Sequence, residues 1–146
     1  MAYKIEIRDD ALEKVVAISN LVPEFPNPHG LAEYQKRLQG VPAITLVAYV
    51  DGEPAGFKVG YEREGYFYSW MGAVLPKFRR LGLATKLAEK QENWAKRQGY
   101  PHVTFKTRNR LKPMLLFALK RGFNITEVQP KETVEEYRIV LRKSLI

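Results

Sequence analysis

The sequence predicts a mixed α+β fold, one sheet with helices on its faces, and three observations carry that prediction. Residues 44–75 hold three β-rich runs separated by Asp51-Gly52 and Glu64-Gly65, dipeptides that signal tight hairpins. Residues 66–107 then read strand, helix, strand, which requires a parallel pair with a right-handed crossover. A further helix and two closing strands follow, so strands and helices interleave around one mixed sheet.

Each element has its own signal. Tyr3–Arg8 alternates polar and apolar residues, as a first strand does. Asp10 and Glu13 have the spacing of a capping box, which predicts a helix over Ala11–Asn20. Val22–Gly30 carries Pro23, Pro26, Pro28 and Gly30; it reads as a loop whose length points to function. Leu31–Leu38 forms a short second helix. Ile44–Val50, Ala55–Tyr61 and Tyr66–Leu75 make the meander, which Pro76 ends. From Gly82 a helix places Leu83, Leu87 and Trp94 on one face, and Gly99 stops it. His102–Thr107 is the next strand. Pro113 opens the last helix, Lys120 and Arg121 suit its final turn, and Gly122 caps it. Phe123–Val128 and Glu136–Leu141 pair as closing strands.

A length of 146 residues implies one domain, residues 1–146. With no cysteine, disulfides, thiolate metal sites and a cysteine nucleophile are excluded, and a cytoplasmic location is the expectation. Charged residues crowd Met1–Asp10 with no apolar run behind them, so no signal peptide is expected. No run of 18 apolar residues exists, so no membrane span is expected either. His29 and His102 are isolated, which argues against a metal.

The net charge of +8 is unevenly spread. Residues 1–64 hold 7 Lys/Arg against 10 Asp/Glu, residues 65–126 hold 13 against 2, and residues 127–146 hold 4 of each. The middle of the chain therefore presents a field that attracts a polyanion, either nucleic acid or a phosphorylated cofactor.

The segment Val74–Thr85, VLPKFRRLGLAT, lies at the centre of that field and joins a strand to a helix. The first amides of a helix have no internal acceptor and sit at the positive end of its dipole, so a turn feeding them can wrap phosphate oxygens. Gly82 permits close backbone approach, and Lys77, Arg79, Arg80 and Lys86 add charge. The segment is neither a Walker loop nor GxGxxG.

It resembles motif A of the GNAT acetyltransferase superfamily, V-x-P-x-x-[QR]-x-x-G-x-[GA], with Val74, Pro76, Arg79, Gly82 and Ala84 on the fixed positions. Asn109, an apolar helix and Lys120-Arg121-Gly122-Phe123 are similar to the family's second signature. The resemblance runs from Ala43 to the C-terminus. It implies a mostly antiparallel sheet of about seven strands with one splayed parallel pair and helices on both faces. It also implies acetyl-CoA as cosubstrate and an amine of a small molecule or peptide as acceptor, attacked directly in a ternary complex. Dimers are common in the family.

Carried onto this chain, the resemblance assigns Gly72, Ala73 and Val74 to the pantetheine arm. The backbone of Leu81, Gly82, Leu83, Ala84 and Thr85, with Arg79 and Arg80, falls to the pyrophosphate, and Asn109 lies near the arm on the second strand. Arg110 or Lys112 is placed by charge at the nucleotide's further phosphate. The tyrosine that protonates the thiolate in many members falls here on Ala118, beside Phe117. The position where some members carry a basic glutamate is Tyr68. Glu24, Glu62 and Glu64 are the candidate carboxylate bases. Tyr61, Tyr66, Tyr68 and Trp70 form an aromatic stripe that serves either as core or as a wall for the acceptor amine. The alternatives are a basic nucleic-acid-binding module, although no RRM, KH or zinc-finger signature is present, and a CoA-binding regulatory domain without catalysis.

Overall fold

Tight turns at Asp51-Gly52 and Glu64-Gly65 set the middle of the sheet. Both residues of each turn have positive φ (49° and 84°, 52° and 87°), the type I′ geometry whose twist matches the flanking strands. A computed structural model describes residues 2–146. In chain order its elements are β1 (Ile5–Asp9), α1 (Leu12–Ser19), α2 (Leu31–Leu38), β2 (Ala43–Val50), β3 (Glu53–Arg63), β4 (Tyr66–Val74), α3 (Leu83–Arg97), β5 (His102–Arg108), α4 (Lys112–Lys120), β6 (Asn124–Gln129) and β7 (Arg138–Ser144). Short 3-10 turns occupy Pro76–Phe78 and Val134–Glu136.

The seven strands form one sheet in the order β1-β2-β3-β4-β5-β7-β6. Every neighbouring pair is antiparallel except β4 and β5, which are parallel. That is the sheet expected from the sequence. The closing strands do pair, but β7 lies inside β6, against β5. The predicted strand at Glu136 starts two residues late, because Val134–Glu136 is coiled into its own turn.

Each face of the sheet has a core. Leu46, Phe67, Val103 and Leu141 meet Leu83 and Leu87 of α3 and Ala118 of α4 on one side. Val47, Phe57, Val59, Tyr61, Tyr68 and Trp70 meet Val15 and Ile18 of α1 and Tyr34 of α2 on the other. The central strands are thus apolar on both faces and read as near-continuous hydrophobic runs. No helix among the described residues is long and apolar enough to cross a membrane.

The capping box expected at α1 does not form. Ala11 is the N-cap and makes no side-chain bond. The Asp10 carboxylate accepts the Ala11 N–H at 2.7 Å and the Tyr49 hydroxyl instead. These contacts hold it below the usual carboxylate range, the Tyr49 bond being the largest cause.

Two features shape β4. Its pairing with β3 slips between Gly60↔Ser69 and Val59↔Met71, which leaves Trp70 as a bulge residue and turns both Trp70 and Met71 toward the α1–α2 face. Its pairing with β5 covers only Phe67↔Val103, Tyr68↔Thr104 and Ser69↔Phe105. Beyond Ser69, β4 stays on β3 as far as Val74, while β5 stays on β7 as far as Arg108. The parallel pair therefore splays.

The close approach of β3 to β4 depends on glycine. A Cβ on Gly56 would lie 2.8 Å from the Ala73 carbonyl oxygen, and one on Gly60 would lie 2.6 Å from the Phe67 ring and 2.7 Å from the Gln91 amide. Gly56→Ala and Gly60→Ala should each destabilise the fold by about 1–3 kcal/mol, the usual cost of overpacking. Thermal denaturation checks this, and an unchanged melting temperature for Gly56→Ala would contradict the packing described, since a backbone atom blocks that site.

Candidate active site

The chain leaves β4 at Leu75, whose N–H still bonds Ala55 at 2.8 Å, and tightens at Pro76–Phe78. Phe78 is buried in the α3-side core and anchors the turn. Arg80 (φ 70°) and Gly82 (φ 79°) are both left-handed, which coils the backbone so that successive amides converge. Gly82 is the N-cap of α3 and provides no side-chain bond. Among the described residues, none of the six consecutive amides from Arg80 to Thr85 donates to a protein acceptor; the first helical bond is Lys86 N–H to the Gly82 carbonyl, 3.1 Å. Such a set of unpaired donors at the positive end of a 15-residue helix is built for an anion.

This turn stands at the mouth of a cleft of about 650 Å³ that fills the splay. Gly72, Ala73 and Val74 of β4 form one wall, and Phe105 of β5 with Met114 and Phe117 of α4 form the other. Arg79, Arg80, Leu83 and Ala84 lie at the mouth, and the loop after α1 adds Val22, Glu24 and Phe25. Lys58 and Ser69 form the floor, where β4 and β5 meet.

The residues named from the sequence divide by place. Gly72, Ala73, Val74, Arg79, Arg80, Leu83 and Ala84 line the cleft, as do Glu24 and Trp70. Leu81, Gly82 and Thr85 contribute backbone to the turn rather than wall. Asn109 is not among the residues that line the cleft. β5 ends one residue before it, its amide donates to Val134 O at 3.1 Å, and its Oδ1 accepts from Lys112 at 2.8 Å. It ties the β5–α4 loop to the turn before β7, and Lys112 is engaged there too. Arg110 does line the cleft and pairs with Glu136 at 2.9 Å.

Glu24 and Arg79, 55 residues apart, form a two-pronged pair of 2.9 and 3.0 Å, and Arg79 Nε also donates to Val74 O at 2.9 Å. One guanidinium thus fastens the end of β4 to the loop after α1. Its hydrogen bonds hold the Glu24 carboxyl below the usual range, which keeps it ionised and makes it a weaker base. The other candidate carboxylates lie at the opposite end of β4. Glu62 pairs across from Phe67 and accepts the Tyr100 hydroxyl at 2.8 Å, and Glu64 is in the hairpin turn. Neither lines the cleft.

The aromatic stripe is chiefly core. Trp70 packs on Tyr34, His29 and Tyr61 at centroid separations of 4.8, 5.2 and 5.7 Å. Arg37 covers its ring at 4.3 Å, so a cation already occupies that π-face. Tyr61 is buried and its hydroxyl meets Arg37 at 3.2 Å; Tyr66 is half-buried beside Tyr68. Neither borders the cleft, since both precede the bulge. Burial raises the Tyr68 phenol above its ordinary value, so it is protonated at neutral pH and is no base. Among the described residues no group of three or more His, Asp or Glu side chains is arranged to hold a metal.

Lys58 was not singled out by sequence reasoning. A signal existed: it is the lone cation in the run Ala55–Tyr61 of a central strand, at a position that alternation directs to the α3 face. It is half-buried at the cleft floor, and desolvation there pushes its ammonium down to about 8.

A family model for the acetyltransferase (GNAT) family matches residues 15–123. Among solved structures, the ribosomal-protein-S18-alanine N-acetyltransferase of Escherichia coli superposes with a TM-score of 0.83 at 17% identity, covering 97% of this chain and 94% of that one. A GNAT family acetyltransferase from Elizabethkingia anophelis with acetyl-CoA bound gives 0.72 at 19%, covering 96% and 97%. Arabidopsis thaliana Naa50 in complex with the bisubstrate analogue CoA-Ac-MVNAL gives 0.77 at 16%, covering 96% and 98%. At these identities the likeness is one of fold. No curated protein sequence matches. Since the family model spans most of the chain and these structures share its fold, the chain belongs to the acetyltransferase (GNAT) family.

Proposed function

We propose that this protein transfers an acetyl group from acetyl-CoA to an amine of a small molecule or a peptide, by direct attack within the splayed cleft. The observation that carries the reading is the row of six unpartnered amides, Arg80 to Thr85, at the mouth of a cleft whose β4 wall has lost its β5 partner. These features fit the cosubstrate's two chemistries. The turn suits a pyrophosphate, and the unpaired edge of Gly72–Val74 suits the amide-bearing arm, as an added strand would. Arg80 adds charge at the mouth, and Arg110, which lines the cleft while paired with Glu136, is the candidate partner for the further phosphate.

When bound, acetyl-CoA supplies an activated thioester. The protein's part is to align the acceptor with it, exclude water and stabilise the charge that develops. Alignment alone is worth several kcal/mol, of the order of 7–11 in the best intramolecular cases. A backbone N–H near Ala73 is the donor for the carbonyl oxygen. The acceptor enters between the loop residues Glu24 and Phe25 and the β4 wall. Glu24, ionised and bound to Arg79, attracts a cationic amine and holds the mouth in shape, while the amine sheds its proton to solvent. Naa50 is named in complex with a CoA–peptide analogue, which supports a peptide amine as one acceptor to test. A cysteine-free chain fits the cytoplasm.

Gly82→Glu should weaken acetyl-CoA binding by at least about 100-fold, since a like charge forced against phosphate costs several kcal/mol. Gly82→Ala, which carries only the left-handed backbone strain of about 1 kcal/mol, should weaken it about five-fold. Calorimetric titration measures both; a wild-type protein that does not bind acetyl-CoA would end the proposal. Glu24→Gln should leave the shape of the pH–rate profile unchanged. It should lower kcat/KM by no more than about five-fold, because an ion pair this exposed is worth at most about 1 kcal/mol. Loss of the acid limb in that variant would make Glu24 the base after all.

A further inference from the structure

The cleft poses a problem that the mouth does not solve. A departing thiolate needs a proton or a positive charge, and α4 (KPMLLFALK), which walls the cleft with Met114 and Phe117, carries no hydroxyl at all. Tyr68 lies outside the cleft and Glu24 lies at its mouth. The floor is different. Lys58 crosses from β3, opposite Gly72 in the register, and a Cβ on Gly72 would stand 3.6 Å from its Nζ. Behind it a small cavity of about 20 Å³ runs between Ser69, Gln91, Glu92, Ala118 and Arg121. Lys58 thus borders both spaces, at the level where β4 parts from β5. With phosphate held at Arg80–Thr85, that apex is the end of the cleft at which the thioester lies.

The charges around Lys58 leave it available. From α3 the only facing carboxylate is Glu92, and Glu92 is already held by Arg121 from the end of α4 at 2.8 Å and by Lys143 of β7 at 2.7 Å. The β4 neighbour is Ser69, and β5 and α4 present Val103, Phe105, Met114 and Phe117. Three cations therefore surround one carboxylate, and among the described residues Lys58 forms no ion pair. An excess of positive charge at the closed end of an apolar cleft is suited to an anion that appears there during reaction.

We propose that Lys58 acts on the leaving group of the transfer, its ammonium facing the departing sulfur and stabilising it as a thiolate. The assignment rests on the acetyl-transfer reading. The acceptor nitrogen bonds to the thioester carbonyl carbon, and the carbon–sulfur bond breaks with its electron pair on sulfur. Lys58 Nζ keeps its proton and pairs with the sulfur anion. The proton shed by the acceptor nitrogen passes to solvent, and CoA takes a proton from solvent as it leaves.

The test is the ionisation of CoA bound to the full chain, read by ultraviolet thiolate absorbance across pH in the wild type, K58M and K58R. The wild type should ionise bound thiol about 1–3 pH units below free CoA, the effect of an opposite charge in contact. K58R should keep that shift and K58M should lose it. Should K58M fail to fold or to hold CoA, K58Q, which keeps a polar head without the charge, takes its place. Bound CoA that titrates like free CoA, or a shift that survives removal of the charge, overturns the assignment and leaves acetyl transfer standing, whereas no CoA binding to the wild type removes both. Intact-mass analysis after exposure to acetyl-CoA adds a second check. Lys58 should carry no acetyl group, and a stable acetyl-lysine there would make it an acceptor rather than a partner of the leaving group.

Discussion

Everything at this site depends on β4 and β5 being paired for three residues and then no further. Two adjacent strands normally continue as long as both exist, because an unpaired backbone donor or acceptor shielded from water costs free energy. Here each strand is held on its outer edge, β4 by β3 through Val74 and β5 by β7 through Arg108. The bulge at Trp70 redirects β4 where the parting begins. The result is a wedge with backbone polar groups on its inner edges and Phe105, Met114 and Phe117 around them. A wedge of this kind suits an extended, amide-bearing chain. The unpaired amides of the following turn begin at Arg80, six residues beyond the end of the same strand, so wedge and turn are fixed relative to each other.

Much of this was legible in the chain because it is local. Asp51-Gly52, Glu64-Gly65, Gly82, Gly99 and Gly122 all sit at positive φ, and each marked an element boundary correctly. Pro76, Arg79 and Gly82 located the turn before α3 for the same reason: its geometry is encoded within a dozen residues. What was missed depends on partners far away in sequence. Asp10 had capping-box spacing, but Tyr49, on a neighbouring strand, competes for its carboxylate. Asn109 matched a motif, yet the turn before β7 captures its amide. Glu24 looked like a free loop carboxylate until Arg79 was found across from it. No periodicity reports such pairings.

The charge asymmetry of the chain acquires a structural meaning in the same way. The basic middle segment recruits acids from outside itself: Glu24 for Arg79, Glu53 for Lys77 and Glu136 for Arg110. These contacts bring the loop after α1, the β2–β3 turn and the approach to β7 around the mouth. Exposed pairs of this sort add little stability individually, so their effect is on shape and local potential. Of the four cations that line the cleft, Arg79 and Arg110 are paired, while Arg80 and Lys58 form no ion pair among the described residues. Arg80 stands at the turn and Lys58 at the apex, so the cleft carries an unpaired cation at each end.

That distribution explains why a lysine is tolerable where it sits. A buried ammonium with a dedicated carboxylate would be tied into an ion pair and have little charge left to offer a second anion. One with no charge nearby would lose its proton altogether. Glu92 stands between these extremes. It faces Lys58 closely enough to favour the charged form, while Arg121 and Lys143 take up its oxygens and partly cancel its field. The ammonium is left protonated at neutral pH but weakly held. A phenol reaching from α4 would have to be supported by the helix that carries it. A lysine on β3 is supported by the centre of the sheet, on the strand that also holds β4 in place. The charge offered to the leaving sulfur is thereby coupled to the element that creates the cleft.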